Sequence, residues 1–163
     1  SYRLISKALV LGLMKMGINA VLAAATPAHY ARGNLLCFSS PAQNEIEAGG
    51  KKLIGSAQKR KGIYFLQHGS VPIKEDDSLL QKVSVFDKKK ESIRMTSLQT
   101  ILNRVIPFEE AVNYLSLGFS KYFRINFKPR SLTAQEKASI EDIRKNKYGN
   151  PKWTFNKIES NKQ

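Results

Sequence analysis

Cys37–Ser70, CFSSPAQNEIEAGGKKLIGSAQKRKGIYFLQHGS, is the stretch whose reading decides the fold. Within it, Asn44–Ala48 and Lys51–Arg60 flank Gly49-Gly50, and a diglycine can take the positive φ angles that a two-residue hairpin turn demands. Lys61 and Gly62 turn the chain again into Ile63–Ile73, a run rich in β-branched and aromatic residues, so three strands are expected as a meander. Period-two alternation puts Lys52, Ile54, Ser56 and Gln58 on one face and Lys51, Leu53, Gly55 and Ala57 on the other. Gly55 and Ala57 carry little side-chain bulk, which leaves room for a ligand against the sheet.

Outward from this unit the patterns alternate between helix and strand. Tyr2, Ile5, Ala8, Leu9, Gly12, Leu13 and Met16 recur at helical spacing, and Gly17 supplies a left-handed C-terminal residue. This periodicity reads as a packed helix over 2–16, with Ser1 able to cap it, and not as a secretory signal. A strand is expected over Asn19–Ala25, a loop through Thr26, Pro27, Arg32, Gly33 and Asn34, and a short strand over Leu35–Phe38. Beyond the meander, Glu75, Asp76 and Asp77 head a short helix to Val83, and Phe86–Arg94, with Lys88, Lys89 and Lys90, reads as an exposed connection. Ser97 caps a single turn to Leu102. Pro107 opens a longer helix with Phe108, Ala111, Val112, Leu115, Phe119 and Tyr122 on one face. Ile125–Lys128 is expected as a last strand, and Thr133 with Glu136 forms a capping box for a helix to about Lys147. Gly149, Asn150 and Pro151 end that helix, leaving Trp153 and Phe155 as apolar anchors. The sum is an α+β class, with helices packed on a mostly antiparallel sheet in one domain over residues 1–163.

Composition narrows the function. No apolar run approaches the roughly 20 residues that span a bilayer, so no membrane segment is expected. One cysteine makes no internal disulfide, which suits a reducing, cytoplasmic compartment. One thiol with only His29 and His68 argues against a structural zinc site, and no metal cluster is expected. The net charge is +14, of which residues 1–50 contribute 4 basic and 2 acidic residues, so the excess lies in the rest of the chain. Such a surface steers acidic proteins or polyanions toward it.

Two readings stand for each reactive side chain. Cys37, between Leu36 and Phe38, is either a small buried hydrophobe or a nucleophile held by the loop that precedes Ser39, Ser40 and Pro41. At a thiol pKa of about 8.5 the second role needs nearby positive charge. Lys52 either follows an exposed turn or offers its ammonium to a carbonyl or phosphate oxygen. Gly55-Ser56-Ala57-Gln58 lacks the spacing of a phosphate loop. His68 is a general base or a hydrogen-bonding group, with no aspartate beside it in sequence.

At these residues the chain resembles the biotin/lipoate protein ligase superfamily, and most closely its cysteine-dependent octanoyltransferase branch. The marks are Cys37-Phe38 with Pro41, Glu45, Gly50-Lys51-Lys52-Leu53-Ile54-Gly55-Ser56-Ala57-Gln58 and Leu66-Gln67-His68-Gly69-Ser70, and the match runs from the first helix to Trp153. The resemblance implies the biotin/lipoate ligase catalytic fold, which is similar to that of class II aminoacyl-tRNA synthetases. It further implies transfer of octanoyl from acyl carrier protein to Cys37, and then to the lipoyl-domain lysine of a protein such as the glycine-cleavage H protein. Cys37 is then the nucleophile and Lys52 the group that holds the acyl carbonyl. Gly55, Ser56, Ala57, Gln58, His68 and Gly69 bind the substrate. No cofactor is implied for a transferase. The ATP-dependent lipoate ligases of the same superfamily use ATP and magnesium instead, and a basic binding module without catalysis is the third reading. Two departures accompany the resemblance. Ser39 stands where the branch often has aspartate, and an Arg-Arg-x-x-Gly-Gly segment of the family's N-terminal part is absent. The sequence is therefore expected to correspond to the C-terminal portion of such an enzyme, completed by a missing N-terminal part or a complementary chain.

Overall fold

The computed structural model describes residues 1–26, 42–75 and 95–155. Helix α1 (Tyr2–Lys15) leads into strand β1 (Ala20–Leu22). Strands β2 (Ile46–Ala48), β3 (Lys51–Lys61) and β4 (Tyr64–Ser70) follow. The remainder is helical: α2 (Leu98–Leu102), α3 (Phe108–Phe123), α4 (Ala134–Ile143), a π-helical turn (Arg144–Tyr148) and α5 (Pro151–Phe155). The expected strand at Leu35–Phe38, the helix from Glu75 to Val83 and the connection Phe86–Arg94 lie wholly or almost wholly outside the described residues. So do Cys37 and His29.

The sheet is an antiparallel meander in the order β1-β2-β3-β4. Gly49 and Gly50 at φ 57° and 72° form the β2–β3 turn, so the diglycine does what its missing side chains permit. Gly62 at φ 59° turns β3 into β4, with Lys61 opposite Tyr64. The third expected strand is shorter than Ile63–Ile73, because Val71–Ile73 leave the ladder and present the carbonyls of Pro72 and Ile73 to the amides of Leu98 and Gln99. Those bonds satisfy the first turn of α2, whose Ser97 hydroxyl accepts from the Thr100 amide at 3.2 Å.

Helix α1 ends as the sequence predicts. Gly17, at φ 93°, lets the Ile18 amide reach the Leu13 carbonyl at 2.9 Å and its own amide reach that of Met14 at 3.1 Å. Ser1 occupies the N-cap position, but its hydroxyl donates to Gln58 Oε1 at 3.2 Å and makes no capping bond. Leu13, Ile18, Ile46, Leu53, Ile54 and Leu98 are fully buried in one core with Ala20, Ala48, Ile106 and Ala111. Each large side chain so buried stabilises the fold by about 1.5–3 kcal/mol.

The face of α3 differs from the expected one. Phe108 and Val112 are exposed, while Ala111 and Gly118 are buried. The reason lies on α1: a Cβ added at Gly118 would stand 2.4 Å from the Ala8 carbonyl oxygen and 2.4 Å from the Gly12 amide nitrogen. A Cβ at Gly12 would in turn stand 2.7 Å from the Tyr114 carbonyl oxygen. The two backbones touch, so the crossing is set by glycine and not by the larger residues. Arg124, at φ 55°, ends α3, and the Ile125 amide folds back on the Ser120 carbonyl at 3.1 Å. Ile125–Lys128 therefore forms no strand; Phe127 packs edge-on against Phe119 at 6.4 Å.

The described residues group into two compact units that meet between Phe127 and Lys128. In the second unit no residue of α4 is buried, so local bonds hold it. The expected capping box is present, with the Glu136 amide 3.2 Å from Thr133 Oγ1 and Glu136 Oε2 2.8 Å from the Thr133 amide. Arg130 pairs with Glu136 at 2.6 Å and Arg144 with Glu141 at 2.7 Å. Trp153 and Phe155, expected as apolar anchors, are both exposed; Trp153 stacks edge-on against Tyr148 at 5.7 Å with the Lys147 ammonium 4.6 Å from its ring. Among the described residues no helix is long and apolar enough to cross a membrane.

Gly118→Ala should lower stability by about 1–3 kcal/mol despite its better helix propensity, because the methyl has no room. Thermal unfolding followed by circular dichroism checks this, with exposed Asn113→Ala on the same helix leaving the midpoint unchanged. Glu136 gives a pH prediction. The Arg130 guanidinium, then the amide and hydroxyl of Thr133, hold its carboxyl at about 2 against an ordinary 4.5. A lowered carboxyl pKa stabilises above the unfolded value and ceases to do so as pH falls through the folded one. The start of α4 should therefore loosen between about pH 4.5 and 2, read by a carboxyl titration and by the α4 amide shifts in NMR.

Candidate functional site

Lys52 is 2% exposed, and its ammonium lies 2.7 Å from Glu45 Oε2, on a carboxylate that is itself 6% exposed. Three local features put a charged side chain there. The two-residue turn sets Ala48 opposite Lys51 and Glu47 opposite Lys52. The register then shifts, because Ile46 pairs with Ile54 and Leu53 is left as an extra residue on β3. On the other edge, the Thr96 amide bonds the Lys52 carbonyl at 3.0 Å and Met95 forms a parallel bridge to Lys52. The expected two-face alternation accordingly fails here, and Lys52, Leu53 and Ile54 are buried in succession.

The carboxylate is positioned by its own turn. The Glu45 amide bonds the Ala42 carbonyl at 2.9 Å, and Asn44, at φ 66°, supplies the left-handed residue of that turn. Glu45 Oε2 also accepts from the Ala42 amide at 2.7 Å, and Oε1 from the Ser56 amide at 3.4 Å. One carboxylate thus ties the turn before β2, the ammonium on β3 and the backbone amide three residues past the bulged Leu53, so the charge is both neutralised and hydrogen-bonded.

The two sequence motifs meet as one ladder. Gly55 pairs with Ser70, Ser56 with Gly69, Ala57 with His68 and Gln58 with Gln67. Gly69 has to be small: a Cβ there would lie 2.9 Å from Ser56 Oγ and 3.0 Å from the Gly55 carbonyl oxygen. Ala57, His68 and Gly69 are exposed, and Gly55, Ser56 and Gln58 are half-buried. Tyr2 of α1 reaches this ladder, its hydroxyl donating to the Ser56 carbonyl at 3.3 Å. Gln58 is engaged on both ends of its amide, donating to Gln67 Oε1 at 2.8 Å and accepting from Arg60 Nε at 2.9 Å.

The structure brings together seven of the eight expected site residues on the paired strands β3 and β4; Cys37 is the one outside the described residues. Glu45 as partner of Lys52 escaped the sequence reading. Its signal was the diglycine turn, since counting back from Glu47 opposite Lys52 leaves only Glu47 or Glu45 within reach. Gln67, whose buried Nε2 has no partner among the described residues, was also missed. No group of three or more His, Cys, Asp or Glu residues arranged to hold a metal occurs among the described residues.

The lipoyl protein ligase A/B catalytic domain model matches residues 1–120. Octanoyltransferase LipM of Carboxydothermus hydrogenoformans is 33% identical over 163 residues, covering 95% of this chain and 60% of that protein. Octanoyltransferase LipM of Kyrpidia tusciae is 34% identical over 171 residues, covering 96% of this chain and 61% of that protein. The chain thus spans about 60% of the length of these curated relatives. Among solved structures, lipoate-protein ligase A bound with ATP superposes with a TM-score of 0.71 at 21% identity, over 93% of this chain and 57% of that one. A bipartite lipoate protein ligase from Thermoplasma acidophilum, described with its E2 lipoyl domain, gives a TM-score of 0.68 at 22% identity, over 93% and 56%. The expected ligase fold is the one observed.

Removing either charge alone takes from the other its 2.7 Å partner in the interior. Lys52→Ala and Glu45→Ala should each cost about 3–5 kcal/mol, while Glu45→Gln with Lys52→Met should recover much of that loss. Urea unfolding of the singles and the double measures the coupling; additive losses would show that the pair is not a unit.

Proposed function

Because this chain belongs to the lipoyl protein ligase A/B catalytic domain family, we propose that it carries the chemistry of an octanoyltransferase, loading octanoyl on Cys37 and passing it to a lipoyl-domain lysine. The observation that carries the reading is the buried Lys52 ammonium, held by Glu45 at the head of the ladder formed by Gly55–Gln58 and Gln67–Ser70. Relatives named octanoyltransferase support the choice of acyl group.

In the proposed first step the Cys37 thiolate attacks the carbonyl carbon of an octanoyl thioester on acyl carrier protein. A carbon–sulfur bond forms, the oxyanion develops against the Lys52 ammonium, and collapse breaks the bond to the carrier sulfur, which leaves with the proton given up by Cys37. In the second step the neutral amine of the lipoyl-domain lysine, on a protein such as the glycine-cleavage H protein, attacks the Cys37 thioester. The amide forms, and the Cys37 sulfur leaves with the amine's surplus proton. No electron changes owner and no nucleotide is consumed. The low bulk of Gly55 and Ala57, on the face they share with His68, gives the chain of the acyl group a path along the ladder, while Ser56, Gln58 and Gly69 stand on the other face and shape it from behind. The proposal puts the reaction in the cytoplasm, where thiols stay reduced.

In the full-length protein, Cys37→Ser should abolish both the octanoyl adduct and transfer to a lipoyl domain, as read by intact mass after incubation with octanoyl carrier. Adduct formation that requires ATP and magnesium and passes through an acyl-adenylate would replace the transferase with a ligase. Lys52→Ala should lower kcat of the folded fraction by roughly 100-fold or more, the loss of one oxyanion donor.

A further inference from the structure

The β3–β4 hairpin carries a charge pattern that the acyl chemistry does not use. Between Glu47 and Glu75 the chain has no carboxylate, yet it holds Lys51, Lys52, Lys59, Arg60, Lys61 and Lys74. Elsewhere in the chain Arg104, Arg130 and Arg144 each pair with a glutamate near in sequence. The hairpin's exposed lysines enter none of the ion pairs among the described residues. Cross-strand pairing puts Lys59 opposite Leu66 and Lys61 opposite Tyr64, on the face that carries Ala57 opposite His68. Leu66 is 69% exposed, Tyr64 75% and the adjoining Ile63 89%.

Resting on the transferase reading above, we propose that this face, built on Lys59, Lys61, Tyr64 and Leu66, is the docking surface for the lipoyl domain that accepts the acyl group, and that this domain presents an acidic face to it. Charge complementarity argues for an acidic partner, since a surface with cations and no carboxylate repels other basic surfaces and steers acidic ones. Exposed leucine and isoleucine beside a tyrosine argue for a protein over RNA, because aliphatic side chains give bases nothing to stack on. Position argues for the acceptor. Lys59 stands seven residues along β3 from Lys52, roughly 23 Å at strand spacing. That is within the diameter of a small domain, so a domain seated here delivers a lysine from its own edge to the acyl carbonyl.

The test uses the full-length protein with the double substitution K59E/K61E. Expected are about tenfold weaker binding of the isolated lipoyl domain by calorimetry, a similar rise in its KM with kcat within twofold, and a shallower salt dependence of binding. Octanoyl uptake by Cys37 from acyl carrier protein should be unchanged by intact mass, and the unfolding midpoint should stay within a degree or two. Leu66→Ser, which keeps the charge, should weaken lipoyl-domain binding by itself. Unchanged lipoyl-domain binding and KM would overturn the docking surface, as would slowed uptake from the acyl carrier with the acceptor KM intact, or loss of RNA binding alone. The two readings fail separately. A wild-type protein that binds the lipoyl domain through these residues but transfers nothing sinks the transferase and spares the surface.

Discussion

A lysine ammonium buried against the Glu45 carboxylate is the interaction on which the rest of this structure depends. An ion taken out of water needs a partner of opposite charge and donors for the remaining lone pairs. Glu45 meets both needs by binding Lys52 and two backbone amides at once. That carboxylate joins the turn at Ala42–Glu45 to the middle of β3, so the sheet is assembled around a polar centre inside an apolar shell of Ile46, Leu53 and Ile54. Apolar side chains in place of both Lys52 and Glu45 would serve the core as well. What the ion pair supplies is a positive charge kept in a dry, fixed place, where it acts far more strongly than it would in water.

Much of the fold was legible where the physics is local. Gly49-Gly50, Gly17, Ser97 and the Thr133–Glu136 box each solve a backbone problem within four residues of themselves, and each does in space what its chemistry predicts. The readings that changed depend on residues far away in sequence. Nothing near Gly118 announces that Gly12 will press against it, so Phe108 and Val112 looked like the inward face. Ile125–Lys128 has strand composition, but a strand needs an edge to pair with, and the left-handed Arg124 sends the chain back toward its own helix instead.

The candidate site shows the same division. Lys52 and the paired motifs were visible as residue types, and their alignment along β3 and β4 follows from the Gly62 turn. The partner of Lys52 was not visible, because strict alternation assigns faces only while the ladder is regular. Burial of Lys52, Leu53 and Ile54 in succession is a tertiary outcome, produced by β2 on one edge and Met95–Thr96 on the other.

The supernumerary Leu53 acts as a phase step in the strand. Parity counted from the diglycine turn holds as far as Lys52, and a new parity, offset by one, governs Gly55 through Lys61. The half of β3 that carries Lys52 and the outer half that pairs with β4 thereby follow separate registers, joined through the Glu45 carboxylate at the Ser56 amide: lengthening or shortening the chain beyond Ser56 re-aims the outer ladder and leaves the ion pair where it is. A lineage could change which side chains the hairpin presents by such indels without disturbing the charge at its root.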